Sequence, residues 1–389
     1  MKGIFRSLFG KSPEKEAQWK KQGETAPLPG PAVAQVEVTT RCNFKCTMCP
    51  RTYYSGEKNV DFSWEVFEKL SAFFPKLKLV HLQGWGEPLL HPRIFDMAAL
   101  VRQKNAQVAF TTNGSLLHET VIAEILRLPM QHVTVSIAGA DALVHDTIRV
   151  GSSFDALLGS VANLVEAKKR GNLKEPVVHL SYMLTRDAIL DLPKMVRKAH
   201  EIGVDRLVTP NLDCPITREE DDSTIFGFGV PDRDFQHAID EAQIVANQLK
   251  FRLNVYPLKL SDEILCCELN PVKQFFVNVH GDVAPCAYAS VMGRSDYCRY
   301  FSGEEVPTSP LLFGSLASED IYEIWGKKEY RRFRLAYQNR MQAYNNLSAN
   351  RTGIHSMFAL QEYLREIDRV LADHPVPGFC RKCYKAYGA

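Results

Sequence analysis

Strands and helices alternate along the first half of this chain, and this alternation restricts the fold more than any other feature. Apolar runs rich in β-branched residues occur at 33–39, 77–82, 107–112, 132–137, 176–184 and 205–209. Segments with helical periodicity lie between them, at 63–74, 94–104, 117–128, 153–170 and 188–202. Six strands separated by helices predict a parallel sheet built from βα units. Ligands of such sheets bind at the carboxyl ends of the strands.

Composition excludes several classes of protein. The 389 residues suffice for one large domain and a smaller one. The formal net charge of +2 gives no electrostatic reason to expect nucleic acid as a partner. No apolar run is long enough for a transmembrane helix, and the N-terminus lacks the apolar core of a signal peptide. Ten cysteines without an export signal favour metal binding or catalysis in a cytoplasmic protein over a disulfide framework.

Residues 1–32 are predicted to form a basic N-terminal arm. Four apolar side chains could share one helical face there, with lysines and arginines nearby: Ile4, Phe5, Leu8 and Phe9. Such an arm could make a weak contact with a membrane surface, although a frayed basic tail would have the same composition. We expect it to be too short for a separate peptide-recognition domain.

Three cysteines, Cys42, Cys46 and Cys49, follow the first predicted strand with the spacing C-x3-C-x2-C. We call them the cysteine triad. Three thiolates can hold three irons of a cubane [4Fe-4S] cluster, whereas ordinary ferredoxin clusters take four cysteine ligands. The fourth iron is then open, and an open coordination position is what a catalytic metal centre needs. The spacing therefore predicts a reactive iron–sulfur cofactor after the first strand.

Polar motifs follow the other predicted strands. They are Gly84-Trp85-Gly86-Glu87 after the second strand, Thr112-Asn113-Gly114 after the third, Ser136 at the end of the fourth and Asp213-Cys214 after the sixth. The two glycines would let the backbone approach a ligand closely, and Glu87 could accept a hydrogen bond from an ammonium group. Each motif alone is typical of an ordinary loop. Their joint placement at strand ends, together with the cysteine triad, indicates one site.

The triad, the Gly-Trp-Gly-Glu turn, Thr112-Asn113-Gly114 and Ser136 together resemble the radical S-adenosylmethionine (radical SAM) superfamily. The resemblance covers roughly residues 33–215, and its cysteine motif is highly specific. It implies an α/β fold with a partial (β/α)6 TIM-like barrel. It also implies that the open iron binds SAM, and that reduction of the cluster cleaves SAM to methionine and a 5′-deoxyadenosyl radical, which abstracts a substrate hydrogen.

The resemblance also implies which residues bind SAM: Gly84, Gly86, Glu87, Asn113, Ser136 and Arg149. Glu87 and the glycine backbone would hold the methionine ammonium group, and Ser136 with Asn113 would contact the ribose or the carboxylate. Arg149 could pair with the SAM carboxylate through its bidentate fork, or it could simply end a surface helix. Relatives often carry aspartate where this chain has Ala138, whose side chain has no polar group for a contact at that point.

A second set of cysteines lies in the C-terminal third: Cys266, Cys267, Cys286, Cys298, Cys380 and Cys383. From Cys267 to Cys286 the spacing C-x13-G-x4-C encloses a hairpin-like run, which would bring its two ends together. Cys380 and Cys383 form a C-x2-C knuckle, a metal-ligand spacing. These four thiolates could hold a second [4Fe-4S] cluster in which every iron has a protein ligand, and structural zinc is the alternative.

This second set resembles the SPASM/twitch extension of radical SAM barrels. The resemblance implies a linking βα segment at 216–262 and a small cysteine-rich α+β auxiliary domain at 263–389, with an insertion at about 335–379. It implies one auxiliary cluster rather than two, because no cysteine follows Cys383. The spacing favours Cys267 over its neighbour Cys266 as a ligand, and Cys298 is either a spare thiol or a ligand of a further site.

Asp213 and Cys214 are the candidate catalytic residues, because they follow the last barrel strand, where substrate would lie. They could act as a general acid or base and as a hydrogen donor. A free cysteine, however, is commonly a small buried hydrophobe, and Asp213 could merely cap a turn.

The leading hypothesis is a radical SAM enzyme whose auxiliary cluster assists oxidation or bond formation. Its substrate would be a peptide, a protein or a cofactor precursor, and a reducing partner such as flavodoxin or ferredoxin would supply electrons. One alternative is a twitch-type dehydrogenase of a small molecule. An alternative of another class is a non-catalytic iron–sulfur electron carrier or scaffold.

Overall fold

The structure, a computed structural model, describes residues 28–54, 59–261, 264–291, 293–349 and 356–389. The predicted N-terminal arm lies outside these residues except for its last five, and its suggested membrane contact lies outside them too. Within the described ranges, no helix is both long and apolar enough to cross a membrane.

Seven parallel strands form the barrel part of a ten-stranded sheet. In chain order and in spatial order they are β1 (Val33–Val36), β2 (Leu79–Leu82), β3 (Gln107–Thr112), β4 (His132–Ile137), β5 (Val177–Tyr182), β6 (Arg206–Thr209) and β7 (Leu253–Val255). The six predicted strands are confirmed. The seventh lies in the segment that was predicted to link the barrel to the auxiliary domain.

Helices connect these strands, as the alternating pattern predicts. The five expected ones are Trp64–Ser71, Ile94–Gln103, Glu119–Arg127, Phe154–Arg170 and Leu192–Ile202. Shorter helices are Pro50–Tyr53, Ala142–Ile148, Arg186–Ile189 and Arg218–Asp222, and Arg233–Gln248 precedes β7. In Phe154–Arg170 the buried positions Phe154, Leu157, Val161 and Leu164 recur every three or four residues, so one face packs on the sheet.

Burial alternates along the central strands and separates two faces of the sheet. Val133 and Val135 of β4 are fully buried, whereas the intervening side chains are half-buried. Histidines of three strands meet on this second face: the rings of His132 and His179 stack 5.2 Å apart, and His81 lies 5.5 Å from His132. The second face is therefore polar, which suits a barrel that holds a polar ligand at its mouth.

The C-terminal third continues the same sheet. Strand β8 (Gln274–Val277) pairs in parallel with β1, and β9 (Asp282–Ala284) and β12 (Gly314–Ser315) follow in antiparallel order. The predicted hairpin is confirmed, with Gly281 at a φ of +82° in its turn. Strands β10 (Tyr297–Phe301) and β11 (Glu304–Thr308) form a separate antiparallel pair.

Among the described residues of the C-terminal third, three further helices are present: Ile321–Gly326, Lys328–Ala349 and Met357–Asp373. The predicted insertion at 335–379 begins inside the second of them, so it continues an existing helix. The helix Met357–Asp373 lies within the predicted insertion, and residues 350–355 lie outside the described chain. Cys380 lies in the short 3-10 turn Gly378–Lys382, and Cys383 lies between this turn and the next one, Tyr384–Tyr387.

Candidate active site and the auxiliary cysteine pocket

The cysteine triad lies in the loop between β1 and the helix Pro50–Tyr53. Two backbone hydrogen bonds, each 2.9 Å long, hold this loop to the segment that follows β4: Lys45 N donates to Val150 O, and Thr47 N donates to Ile148 O. A proline at the first helical position ends the loop immediately after its third cysteine. The three thiols are thereby held at the barrel mouth as the sequence predicts.

Burial raises the pKa of all three triad thiols above the ordinary value, that of Cys49 to about 11. Buried thiols of this kind stay protonated at neutral pH unless a cation stabilises the thiolates. Metal binding releases those protons and supplies the missing charge. The chemistry of this donor set therefore fits an iron–sulfur cluster.

Glu87 links the end of β2 to the end of β3 through hydrogen bonds. Its buried carboxylate accepts hydrogen bonds from Thr112 Oγ1 at 2.7 Å, Asn113 N at 2.6 Å and Leu89 N at 3.1 Å. The amide of Asn113 then faces the triad loop, with Nδ2 at 2.9 Å from Asn43 Oδ1 and 3.9 Å from Cys42 Sγ. Glu87 thus positions Asn113 against the triad, and its contact with an ammonium group stays a prediction.

The two glycines of the turn are required by the chain itself. A Cβ on Gly86 would lie 2.2 Å from Thr39 O, and a Cβ on Gly84 would lie 2.2 Å from Glu37 Cγ. Glu37 was missed by the sequence analysis. Its buried carboxylate accepts from Trp85 N at 2.9 Å and from Val279 N at 3.1 Å, which joins the turn to the hairpin of β8 and β9. The only sequence signal was an acidic residue inside an apolar run.

Arg149 ends the helix Ala142–Ile148, but its side chain is buried rather than on the surface. The alternative of a surface cap is therefore wrong. Its charge opposes the effect of burial on the pKa of Cys46, so the guanidinium lies close to the triad. Ser136 is half-buried beside Ser181 of β5. Ala138 is fully buried in an apolar cluster, so the position where relatives carry aspartate has a packing role here.

Four cysteines from separate parts of the C-terminal third line one pocket: Cys267, Cys286, Cys380 and Cys383. Phe333, Tyr337 and Phe379 form the apolar wall of this pocket. We call it the auxiliary pocket. These are the four predicted ligands, and Cys266 is not among the lining residues. Four convergent thiols in an apolar enclosure fit the donor set of a closed cluster.

Cys266 and Cys298 have other surroundings. Cys266 donates a hydrogen bond to its neighbour Cys267, which lowers the pKa of Cys267 and favours its thiolate. Cys298, on β10, places its Sγ 3.3 Å from Glu305 Oε1, and both its backbone N and O bond to the hydroxyl of Tyr54. Cys298 therefore holds β10 to the helix that follows the triad.

Asp213 and Cys214 lie beside the auxiliary pocket. Asp213 Oδ2 is 2.6 Å from Lys385 Nζ, and both side chains are buried. Cys214 packs in one cluster with Trp85 and Tyr288. The rings of these two residues meet edge to face, 6.0 Å apart, and Tyr288 also lines the auxiliary pocket. The predicted candidates are thus brought together, with Lys385 as a partner that the sequence did not reveal.

Comparison with known proteins agrees with this geometry. Residues 36–199 match the radical SAM superfamily, and residues 266–384 match the SPASM iron–sulfur cluster-binding domain. The "tungsten-containing aldehyde ferredoxin oxidoreductase cofactor-modifying protein" of Pyrococcus furiosus is 26% identical over 78% of this chain and 83% of its own. The mycofactocin maturase MftC of Mycobacterium tuberculosis is 25% identical over 47% of this chain and 45% of its own.

Solved structures share the fold. Streptococcus suis SuiB bound to its precursor peptide SuiA has a TM-score of 0.60 at 12% identity, over 82% of this chain and 69% of that one. The same enzyme has been solved with S-adenosylmethionine bound.

The chain belongs to the radical SAM superfamily and carries a SPASM iron–sulfur domain. It is therefore an enzyme of that superfamily, and the alternative of a non-catalytic electron carrier is wrong. Its cofactors are SAM and iron–sulfur clusters, which also decides against structural zinc.

Proposed function

We propose that this enzyme matures a peptide, a protein or a cofactor precursor that binds between the cysteine triad and the auxiliary pocket. One observation carries the proposal. The residues after β6, Asp213 and Cys214, lie beside the auxiliary pocket through Lys385 and Tyr288, and Cys214 also packs in one cluster with Trp85 of the turn after β2. The similarity to a cofactor-modifying protein over most of the chain supports it.

The triad would hold a [4Fe-4S] cluster and the auxiliary pocket a second one. When bound, the triad cluster and SAM supply the radical chemistry that removes a substrate hydrogen, and the auxiliary cluster assists oxidation or bond formation. A reducing partner such as flavodoxin or ferredoxin would supply electrons. The bound peptide of SuiB supports a peptide-like substrate.

The chain's own residues would bind and orient SAM. Arg149 would pair with the SAM carboxylate, and Ser136 would contact the ribose. Glu87 would hold Asn113 in place and accept a further hydrogen bond from the ammonium group. Gly84 and Gly86 would let the turn lie close to the triad loop. Such fixed, buried donors and acceptors cost little reorganisation during the reaction.

Asp213 and Cys214 would act on the substrate. Asp213 is a carboxylate paired with Lys385, so it would accept a proton and become neutral while Glu268 remains as the counter-charge of Lys385. Burial raises the pKa of Cys214 well above its ordinary value, so this residue would act as a neutral thiol, able to donate hydrogen.

The decisive experiment is anaerobic reconstitution with iron and sulfide, followed by SAM and dithionite. We expect 5′-deoxyadenosine by mass spectrometry. The variant with all three triad cysteines changed to alanine should form none, yet it should keep about four irons in the auxiliary pocket. Absence of 5′-deoxyadenosine from the parent protein, even with candidate substrates, would contradict the proposal. Total loss of iron from the variant would contradict two independent sites.

The substrate class is tested with deuterium-labelled cell extract, separated into large-molecule and small-molecule fractions. Stimulation of labelled 5′-deoxyadenosine by the large-molecule fraction, abolished by protease, would indicate a peptide or protein. Stimulation by small molecules, with a product that is not simply two hydrogens poorer, would indicate a cofactor precursor. A product that lacks only two hydrogens would favour the small-molecule dehydrogenase.

A further inference from the structure

A second buried arginine lies beside the auxiliary pocket. Arg299, on β10, is only 4% exposed. Its Nη2 donates to Phe379 O at 2.8 Å, and its guanidinium carbon lies 4.6 Å from the centre of the Phe379 ring. Its Nε has no hydrogen-bond partner, and no carboxylate of the described residues forms an ion pair with it. Arg299 is thus a buried cation whose counter-charge does not come from an acidic side chain.

A buried charge without a counter-charge is strongly destabilising, so the fold must supply one. The residue that anchors Arg299 immediately precedes Cys380, and Phe379, Cys380 and Cys383 line the same pocket. The hydrogen bond to Phe379 O therefore places the guanidinium beside the wall of that pocket, next to the backbone that carries Cys380. Negative charge in the auxiliary pocket is therefore what Arg299 stabilises.

We propose that Arg299 is the counter-charge of the auxiliary cluster and raises the cluster's reduction potential. This rests on the proposed function, which assigns Cys267, Cys286, Cys380 and Cys383 as its ligands. One-electron reduction adds one negative charge to a cluster held by four thiolates. A fixed cation in a poorly solvated site stabilises the reduced form more than the oxidised form. Arg299 acts through the cluster and is a positioning residue rather than a catalytic one.

An anion on a substrate is the competing partner for the same guanidinium. The hydrogen bond from Arg299 to Phe379 O favours the cluster as the partner, because it holds the guanidinium at the wall of the auxiliary pocket. The two alternatives lead to different expected reduction potentials. A counter-charge for the cluster acts in the protein without substrate, whereas a substrate-binding residue would leave the potential of that protein unchanged.

The test is a redox titration of the auxiliary cluster, followed by electron paramagnetic resonance. The parent carries alanine in place of all three triad cysteines, so the signal comes from the auxiliary cluster alone. We expect Arg299→Gln to lower the equilibrium constant for reduction at least tenfold, which is 59 mV for a one-electron couple. Arg299→Lys keeps the charge, so its potential should stay near that of the parent.

Lys382→Gln is the matched control. It also removes one positive charge next to Cys383, but the Lys382 side chain is 51% exposed and pairs with Glu304 on the surface. Water screens such a charge, so the equilibrium constant for reduction should change by less than twofold. Equal shifts for Arg299→Gln and Lys382→Gln would overturn the proposal, as would no shift in either.

Iron content separates this proposal from the one on which it rests. Loss of the cluster from the parent, which has Arg299 intact, would overturn the ligand assignment instead. If Arg299→Gln fails to fold, Arg299→Lys decides. If the reduction potential of Arg299→Lys lies near that of the parent, the result supports a role of charge. If the equilibrium constant for reduction falls tenfold in Arg299→Lys, the shape of the side chain matters rather than its charge, and the proposal is overturned.

Discussion

Asp213 Oδ2 lies 2.6 Å from Lys385 Nζ, and this buried ion pair joins the end of the last predicted barrel strand to the C-terminal turn of the chain. Lys385 also pairs with Glu268. Burial disfavours its charge, but the two carboxylates outweigh that effect and raise the pKa of Lys385 above its ordinary value. Lys385 is therefore charged throughout the neutral range, whereas burial raises the pKa of Asp213 above its ordinary value.

The ion pair predicts an asymmetric loss of stability. Lys385→Met leaves Asp213 as an unpaired buried charge and should cost about 3–5 kcal/mol of unfolding free energy. Asp213→Asn should cost less, because Lys385 keeps Glu268, and adding it to Lys385→Met should recover part of the loss. Anaerobic denaturant titration measures the unfolding free energy of each variant. Lys382→Met, on the surface, should cost less than about 1 kcal/mol. Equal losses for the buried and surface lysines would refute the assignment.

Gly86 should not accept a side chain. A Cβ there would lie 2.2 Å from Thr39 O and 2.6 Å from Arg41 O, both on the backbone of the triad loop. We expect Gly86→Ala to destabilise the protein by about 1–3 kcal/mol and to lower the iron content of the triad site. Gly159→Ala is the control, because nothing lies within 4 Å of that position. It should be neutral or stabilising by up to about 1 kcal/mol. Unchanged iron in Gly86→Ala would argue against this packing role.

Cys266 and Cys267 should differ as ligands. Of these two cysteines, Cys267 lines the auxiliary pocket and Cys266 does not, so Cys267→Ser should lower the iron bound there, whereas Cys266→Ser should retain it. Iron and sulfide analysis of each variant, in the background without triad cysteines, measures the difference. If Cys266→Ser lost iron and Cys267→Ser did not, the ligand would be Cys266 instead.

The histidines inside the barrel predict a loss of stability in acid. Burial lowers the pKa of His81 to about 3 and that of His179 to about 4. In the unfolded chain each titrates near its ordinary value of about 6.5. The unfolded state then binds more protons below that pH, so stability falls from pH 6.5 towards pH 4, by at most about 1.4 kcal/mol per pH unit per histidine.

His179→Gln tests this relation. Its unfolding free energy should fall less between pH 7 and pH 5 than that of the parent protein, as measured by anaerobic denaturant titration. His118→Gln removes an exposed histidine and should leave the pH dependence unchanged. Parallel pH profiles for the parent protein and His179→Gln would contradict the prediction.

Local patterns were enough to predict much of the molecule. Periodicity predicted the six strands, because residues two or four apart share a face. The spacing from Cys267 to Cys286 predicted a hairpin, because a tight turn makes the ends of its strands neighbours. Glu37 could not be found in this way, since its partners Trp85 and Val279 come from distant parts of the chain.

The sequence by itself determined the class of this protein and predicted seven ligand cysteines. Spacing along the backbone is a short-range property, and the cluster chemistry it implies depends on residue type. Only the tertiary structure decided that Cys267, not Cys266, faces the auxiliary pocket, that Lys385 pairs with Asp213, and that Arg299 is buried without an acidic partner. These results depend on which groups lose water together when the chain folds, and desolvation is a property of packed neighbours rather than of sequence spacing.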